Sequence, residues 1–392
     1  MLLRETEYQP SNVKRHSSIY ALDNDNTIEI HSIFSTLPSK NSNEEEEEYN
    51  TFENQLNRLK NAFSSWCFEK GCDNSTVFLR FFISDAANQA HLIKSEDFSN
   101  CAISIVQQPP LSPKTKVTLW CYDIIDQVCF SKGPFHMVQH NCYTHYWTSN
   151  QCIAEGNSET QTHQLLESYE SALQKENLNF TNDCIRTWFF VQNIDVNYHG
   201  VVVGRRENFE RIGLTSQTHY IASTGIEGRS ANPAAHVLFD AYAIKGLQPN
   251  QQQYLYAKEN LNPTYEYGVT FERGVKVMYG DRNHLYISGT ASINNKGEVV
   301  HVGNIQKQTL RMMENVKALL KEGGATPDDI AIAIVYLRDY ADFETVKKIF
   351  SLSEFQHTPK VFVLAPVCRP SWLIEMECIA ISQVVNKNFD NF

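Results

Sequence analysis

The sequence contains no long apolar run and no secretory leader. Its apolar stretches, such as residues 361–367, are much shorter than the ~20 residues that a membrane helix needs. The N-terminus, MLLRETEYQPSN, lacks the apolar core of a signal peptide. The ten cysteines show no CxxC spacing, which is typical of thiols in a reducing compartment and not of a disulfide framework. These absences predict a cytoplasmic protein with no membrane contact and no disulfide bridge.

Positive charge is also scarce. The chain has 34 Lys and Arg against 45 Asp and Glu, a net charge of -11, and no basic run offsets this excess. Because such a chain repels phosphate backbones, we expect no nucleic-acid ligand. The glutamate run 44–48 is interpreted as a solvated loop without function.

Several standard catalytic motifs are missing. The sequence has no Gly-rich phosphate loop, no G-x-S-x-G elbow and no H-E-x-x-H run. This argues against nucleotide-dependent enzymes, serine hydrolases and metalloproteases, and we expect no cofactor and no metal. His136, His140, Cys142 and His145 carry ligand-capable side chains within ten residues. Their spacing fits no standard zinc motif, so we favour a β-hairpin over a zinc site for this segment.

What the sequence does contain is one pattern that occurs three times. In each copy an apolar stripe at helical spacing is followed by an apolar strand that stops at a polar pair. The three strands and stops are Val77–Ile83 with Ser84-Asp85, Cys184–Val191 with Gln192-Asn193, and Ile330–Leu337 with Arg338-Asp339. The distance from the last stripe residue to the stop is 19, 20 and 19 positions (Trp66 to Asp85, Leu173 to Asn193, Leu320 to Asp339).

Each copy then continues with a second helix and a closing apolar strand. The closing strands are Val117–Ile124, Val237–Ile244 and Ile374–Ile381. A hairpin followed by strand, crossover helix and strand predicts the α/β (α+β) class, with a mixed sheet and helices on one face. Three such sheets can bury their open faces against each other in a pseudo-threefold barrel. Three independent α/β domains are the alternative.

The pattern divides the chain into four parts. We predict a polar N-terminal segment at 1–25, degenerate units at 26–130 and 131–267, and a C-terminal unit at 268–392 that carries the site.

The closing strand of the third copy differs from the other two. Side chains alternate along a strand, so Glu375 and Glu377 share a face. The matching pairs are Thr118 and Trp120 in the first copy and Leu238 and Asp240 in the second. A buried carboxyl at position 375 would have a raised pKa and would donate a proton at neutral pH. A solvent-facing edge strand with two inert glutamates is the other interpretation, and the strand pattern leaves both open.

The third copy resembles the RidA/YjgF family. The resemblance rests on Phe271-Glu272-Arg273-Gly274, on the strand SGTASI at 288–293, on Arg338-Asp339 and on the closing strand IEMECIAI, and it covers about the last third of the chain. Members of that family are homotrimers with sites between protomers. The resemblance therefore implies a monomer built as an intramolecular pseudo-trimer of chorismate-mutase-like units, with a central β-barrel, outer helices and two sites lost.

Within that family the chorismatase branch is the more similar. The imine deaminases use an arginine about fifteen residues before the first glutamate, where this chain has Lys360, which lacks the bidentate fork of arginine. Chorismatases carry a GTAS strand, a cysteine or small residue, an adjacent arginine and a catalytic glutamate. Here these are 289–292, Cys368, Arg369 and Glu375, and the runs 218–229 and 267–274 are similar as well.

The resemblance implies a cofactor-independent hydrolysis of chorismate, or of a similar small carboxylate. The enolpyruvyl ether would be cleaved to pyruvate and a hydroxybenzoate or dihydroxycyclohexadiene carboxylate, with Glu375 as general acid. The implied substrate-binding residues are Arg273, Arg369, Lys360, Tyr220, Arg229, Gly289, Thr290, Ala291 and Cys368. Three of them have a plain structural alternative, since Arg273 could cap a turn, Arg229 could lie on a surface loop and Tyr220 could be core.

The sequence leaves the reaction product and the function open. The pair Ala291 and Cys368 combines features of two chorismatase subtypes, which leaves the product undecided. An imine or enamine deaminase and a non-catalytic metabolite-binding protein are the alternative functions.

Overall fold

Each of the three repeats forms its own six-stranded mixed sheet with helices packed against it. The computed structural model describes residues 2–9, 12–22, 25–38, 49–72, 74–98 and 100–392, and the glutamate run 44–48 lies outside them. The predicted α+β class and the organisation into three units are confirmed. None of the helices in this described part combines the length and apolar character that crossing a membrane requires.

The first unit has the strand order β1-β2-β3-β6-β4-β5. Its elements are β1 (Leu2–Gln9), β2 (Val13–Leu22), β3 (Asp25–Thr36), α1 (Phe52–Lys70), β4 (Thr76–Ile83), α2 (Ala86–Gln89), β5 (Ala102–Gln107) and β6 (Val117–Ile124). The N-terminal segment predicted to lie outside this unit supplies strands β1 and β2. The sequence hid them because buried positions of β2 are polar: Arg15 is buried and pairs with Glu5 and Glu7 on β1.

The second unit has the order β11-β10-β12-β9-β8-β7. Its elements are β7 (Phe130–Lys132), β8 (Phe135–His140), β9 (Tyr143–Cys152), α3 (Ser158–Lys175), α4 (Phe180–Asp183), β10 (Cys184–Val191), α5 (Ile194–Arg211), β11 (Ala222–Glu227) and β12 (Val237–Lys245). Strands β8 and β9 form the predicted hairpin. Within it His140 and His145 stack with ring centroids 4.8 Å apart, while Cys142 is exposed at the turn.

The third unit has the order β13-β14-β15-β18-β16-β17. Its elements are β13 (Gln252–Leu255), β14 (Gly274–Met278), β15 (Arg282–Ala291), α6 (Ile305–Gly323), β16 (Ile330–Leu337), α7 (Phe343–Ser351), β17 (Lys360–Leu364) and β18 (Ile374–Gln383). Strand β13 begins sixteen residues before the predicted start of this unit at residue 268. Gly324 caps the C-terminus of helix α6, and its φ of 80° is a left-handed conformation that glycine adopts without strain.

The three sheets pack against each other around a common centre, as the pseudo-threefold arrangement predicts, and remain three separate six-stranded sheets. In the part of the chain that the structure describes, backbone pairing between units is confined to isolated bridges such as Gln107 with Arg229, Ala222 with Glu272 and Ile226 with Val367. Single bridges do not make a continuous ladder. Side-chain packing between the sheets must therefore close the centre of the molecule.

Charged side chains from all three units meet in that centre. Arg80 on β4 pairs with Asp240 on β12 at 2.9 Å, and Arg186 on β10 pairs with Glu377 on β18 at 2.8 Å. All four are buried. The Arg80 guanidinium also lies within 5.3 Å of the ring centroids of Phe78, Trp120, Trp188 and Phe190. Each ion pair joins two different units, so the charges fix how the units fit together.

Removing one partner of such a pair should destabilise the protein strongly. Arg80→Met leaves Asp240 buried without its cation, and we expect a loss of about 3–5 kcal/mol in the free energy of unfolding, measured with denaturant. The double variant Arg80→Met with Asp240→Leu removes both charges and should be more stable than Arg80→Met alone. A double variant no more stable than the single one would show that the ion pair does not control this junction.

Candidate functional site

A pocket lies at the junction of the second and third units. Its free space, with the solvent at its mouth, is about 490 Å³. The second unit contributes residues from α5 and β11, namely Tyr198, Arg205, Ser223, Thr224 and Gly225. The third unit contributes Tyr267, Val269, Phe271, Arg273, Gly289, Ala291, Ile293, Cys368, Arg369, Trp372 and Glu375. The site is therefore shared between two units, as sites between protomers are in a trimer.

Glu375 is the buried acid of this pocket. It lies on β18 with 5% of its surface exposed, and among the described residues no hydrogen bond engages its carboxyl group. Burial raises its pKa to about 8, the negative Glu377 adds to the rise, and Arg273 and Arg186 partly oppose it. At neutral pH the carboxyl is therefore mainly protonated and its proton is available for transfer.

Gly289 on β15 makes the room for this carboxyl. A Cβ at position 289 would lie 2.1 Å from Glu375 Oε1 and 2.8 Å from its carboxyl carbon. Real atoms do not approach so closely, so a side chain at 289 would displace the acid. The glycine that sequence comparison placed in the pocket is there for this physical reason.

Glu377 faces the same side of β18 but has a different environment. It accepts hydrogen bonds from Arg186 at 2.8 Å and from Trp188 Nε1 at 2.9 Å, and the Thr224 hydroxyl also donates to it. These partners hold it in the centre of the molecule. Two glutamates on one strand face are thus separated into an unengaged acid and a structural anion.

Three arginines bring positive charge to the pocket. Arg273 is buried, donates to the carbonyl oxygen of Asn262 at 3.1 Å and lies against Tyr267 and Phe271. Arg369 is half-buried and donates to the carbonyl oxygen of Tyr267 at 3.3 Å. The family resemblance implied that Arg273 and Arg369 bind the substrate, and both line this pocket.

Arg205 is the third cation, and sequence reasoning missed it. It lies on α5, is 1% exposed, and donates from Nε to the Thr270 hydroxyl at 3.2 Å. Its Nη2 is buried without a hydrogen-bond partner among the described residues. Because an unsatisfied buried donor is costly, this atom is suited to bind an anion in the pocket. The available signal was its place at helical spacing from the buried Val201 and Phe209.

Lys360 does not reach this pocket. Its ammonium donates to the carbonyl oxygens of Phe355 and Thr358 at 2.9 and 2.8 Å, and burial lowers its pKa to about 7. The nearby cations Lys14 and Arg4 belong to the first unit, so Lys360 lies at the junction of the third and first units.

The strand registers explain why the sequence offset misplaced this residue. Trp188 pairs with Asp240, and Ile334 pairs with the equivalent Glu377, so Trp188 and Ile334 occupy equivalent positions. On the neighbouring parallel strands Trp188 pairs with Thr224 and Ile334 pairs with Val361. Ser223 directly precedes Thr224, and Lys360 directly precedes Val361. Ser223 thus corresponds to Lys360, and Ser223 lines the pocket.

Three other predicted residues also lie away from the pocket. Tyr220 belongs to the core of the second unit and stacks on Phe209. Arg229 is exposed and its Nε lies 3.6 Å from Glu227. Thr290 faces the opposite side of β15 from Gly289 and Ala291, and its hydroxyl donates to the Ser288 carbonyl at 2.9 Å. For Tyr220 and Arg229 the structure matches the plain structural interpretation.

Cys368 forms part of the pocket wall. Burial raises the pKa of its thiol to about 12, and the neighbouring Glu375 adds to the rise. The thiol therefore stays protonated at neutral pH, which argues against a nucleophilic role.

Comparison with known proteins identifies the family. The profile of the endoribonuclease L-PSP family matches residues 271–382. A RutC family protein of Saccharolobus solfataricus is 35% identical over 113 residues, which are 29% of this chain and 86% of that protein. The 3-aminoacrylate deaminase RutC of Acinetobacter baylyi is 28% identical over 99 residues, 25% of this chain and 79% of that protein. The chain therefore belongs to the endoribonuclease L-PSP (RidA/YjgF) family through its third unit.

A solved structure extends the similarity to the other units. A chorismatase crystal structure superposes with a TM-score of 0.62 at 16% identity, covering 79% of this chain and 93% of that one. The two chains share a fold over most of their length.

The raised pKa of Glu375 predicts how stability depends on pH. A glutamate ionises near pH 4.5 when unfolded but near pH 8 here, so the wild type loses stability as the pH rises through this window. Glu375→Gln removes the titration. We expect its free energy of unfolding to gain roughly 3 kcal/mol relative to the wild type between pH 5 and pH 8, by denaturant titration at each pH.

The control for this series is Glu344→Gln on α7, because Glu344 is exposed. Its difference from the wild type should stay nearly constant with pH. A flat difference for Glu375→Gln as well would contradict a raised pKa at this position.

Proposed function

We propose that this pocket hydrolyses the enolpyruvyl ether of chorismate, or of a closely similar cyclic dicarboxylate. The observation that carries the proposal is Glu375, a buried carboxyl that is protonated at neutral pH, has no hydrogen-bond partner among the described residues and faces a pocket with three arginines. The fold shared with a chorismatase supports the same reaction class.

The three arginines match a substrate with two carboxylates. Arg205 offers its unpartnered Nη2, while Arg273 and Arg369 are held in place by backbone carbonyls. Guanidinium groups bind carboxylates through paired, charge-assisted hydrogen bonds. Tyr267 and Trp372 add apolar surface against which a six-membered ring can pack. The substrate ring would lie between these side chains with its ether directed to Glu375.

Glu375 then acts as the general acid. Its carboxyl proton is transferred to the methylene carbon of the enolpyruvyl group, which gives an oxocarbenium ion beside the newly formed carboxylate. That carboxylate stabilises the cation electrostatically. Water adds to the cationic carbon and returns a proton to Glu375, and the hemiketal collapses to pyruvate and the ring alcohol. The balance is one water consumed per ether cleaved, with no metal or cofactor required.

An imine deaminase is the competing enzyme, because one relative is a 3-aminoacrylate deaminase. The residue that corresponds to Lys360 in this pocket is Ser223, which carries no charge for a substrate carboxylate. A metabolite-binding protein without turnover is the remaining alternative.

The first test is pyruvate release from chorismate. The purified protein, without added metal or cofactor, is expected to release pyruvate in a coupled lactate dehydrogenase assay, with the ring product identified by mass spectrometry. Glu375→Gln should lower kcat by about 100-fold or more, because it removes the general acid. It should still bind chorismate, and Glu344→Gln serves as the matched surface control.

The pH dependence of kcat provides a second readout of the same prediction. Activity that needs the protonated acid should fall as the pH rises through about 8. No pyruvate from the wild type, together with ammonia release from 3-aminoacrylate that is faster than in a sample without protein, would favour the deaminase. Binding of chorismate without either product would favour the binding protein.

The role of Arg205 is tested separately. Arg205→Met should raise the KM for chorismate about tenfold or more, because a hydrogen bond to a charged group contributes ~1.5–3 kcal/mol. Arg229→Met is the matched control, since Arg229 is exposed outside the pocket and its loss should leave KM unchanged. Equal KM values for the two variants would remove Arg205 from the binding site.

A further inference from the structure

The first unit contains a buried cluster of thiols around a carboxylate. The pocket is lined by residues of the second and third units, so this cluster is not part of it. Cys67 Sγ, Cys72 Sγ and a carboxylate oxygen of Asp123 all lie within 4.8 Å of one another. Cys121 Sγ lies 3.0 Å from Asp123 Oδ2. All four residues are buried. Cys67 and Cys72 flank the end of helix α1, and Cys121 and Asp123 share one face of strand β6, so the cluster joins the helix layer to the sheet.

In the other two units, the equivalent positions between the long helix and the closing strand form ordinary apolar core. The backbone bond that closes each long helix runs from Cys72 to Cys67, from Leu178 to Leu173 and from Ala325 to Leu320, which makes these pairs equivalent. Strand registers make Cys121 and Asp123 equivalent to Ala241 and Ala243 in the second unit and to Cys378 and Ala380 in the third.

The substitution pattern is concerted. Eight equivalent positions in the other units hold seven aliphatic residues and one cysteine. The first unit has three cysteines and one aspartate at the four matching places. Four metal-ligating side chains in the first unit therefore stand where the other units have an almost entirely apolar layer, at positions that come from two separate elements.

An aspartate in this layer lacks ordinary compensation. No Lys, Arg or His pairs with Asp123 among the described residues, and its partners are the Thr76 hydroxyl at 2.7 Å and the Cys121 thiol. Burying a carboxyl costs free energy unless it is paired or coordinates a metal, and thiols are weak donors. A divalent cation held by Cys67, Cys72 and Asp123 would satisfy the carboxylate, and Cys121, whose thiol contacts that carboxylate, would complete the four ligands.

We propose that Cys67, Cys72, Cys121 and Asp123 bind a structural zinc ion. Three sulfurs and one carboxylate oxygen supply the four ligands that tetrahedral zinc prefers, and no position remains open for a substrate. Binding one Zn²⁺ displaces the three thiol protons. Because the site is closed, the ion would enter while the first unit folds and would then tie the end of α1 to β6. This inference is independent of the chemistry proposed for the pocket.

The test begins with the metal content of the full-length protein, purified without chelator. We expect about one zinc per chain by inductively coupled plasma mass spectrometry. Protein produced in minimal medium with cobalt in place of zinc should show thiolate-to-cobalt charge transfer in the near ultraviolet and intense visible bands of tetrahedral cobalt.

Variants identify the ligands. Asp123→Asn and Cys67→Ser should each lower the zinc content several-fold, whereas Cys184→Ala, a buried cysteine of the second unit, should retain it. A quadruple variant carries the residues of the second unit: Cys67→Leu, Cys72→Leu, Cys121→Ala and Asp123→Ala. It should fold without zinc, and its thermal unfolding should be insensitive to a chelator that lowers the Tm of the wild type.

Three results would overturn the proposal. Wild-type protein with neither zinc nor a cobalt spectrum would do so, as would a Cys67–Cys72 disulfide found by peptide mass mapping. The third is a quadruple variant that retains as much zinc as the wild type.

Discussion

The architecture depends on a buried network of charges at the meeting point of the three units. Each ion pair crosses a unit boundary, since Arg80 and Asp240 join the first unit to the second and Arg186 and Glu377 join the second to the third. Buried charges are tolerated only when they are paired, so other relative positions of the units would leave a charge uncompensated. The apolar faces of the sheets supply the driving force for packing, and the ion pairs select one arrangement. This selection matters because isolated bridges alone would not fix the register between sheets.

The same network shapes the pocket. Thr224 donates to Glu377 and accepts a hydrogen bond from the backbone N–H of Gly289 at 3.0 Å. Gly289 in turn leaves the space that the carboxyl of Glu375 occupies. Glu377 is therefore linked to Glu375 through Thr224 and Gly289. The negative charge of Glu377 also raises the pKa of Glu375. Two glutamates on one strand face thus acquire different roles from their surroundings, which is how paired carboxyl groups are commonly differentiated.

The sequence predicted what lies within a unit better than what lies between units. The strand Ile330–Leu337, the carboxyl of Glu375 and the pocket positions of Gly289, Ala291, Cys368 and Arg369 follow from local patterns and from the family resemblance. Arg205 was missed and Lys360 was placed in the wrong site for one common reason. Spacing along the chain gives a residue its place in its own unit but does not tell which neighbouring unit its side chain faces. Strands β1 and β2 were missed because a half-buried strand is expected to alternate apolar and polar residues. Position 15 faces the interior but is an arginine, whose charge is paired with Glu5 and Glu7.

Joining three units in one chain removes a restriction that a homotrimer obeys. Identical protomers must place the same residue at each of three equivalent positions, whereas this chain has Thr118, Leu238 and Glu375 there. A carboxyl in the third unit can therefore face an arginine of the second without a copy of either at the other junctions. The same freedom applies beneath the helices, where only the first unit exchanges an apolar layer for thiols and a carboxylate. All three units have the same strand order. Their side chains differ most where one unit contributes to the pocket or to the thiol and carboxylate cluster.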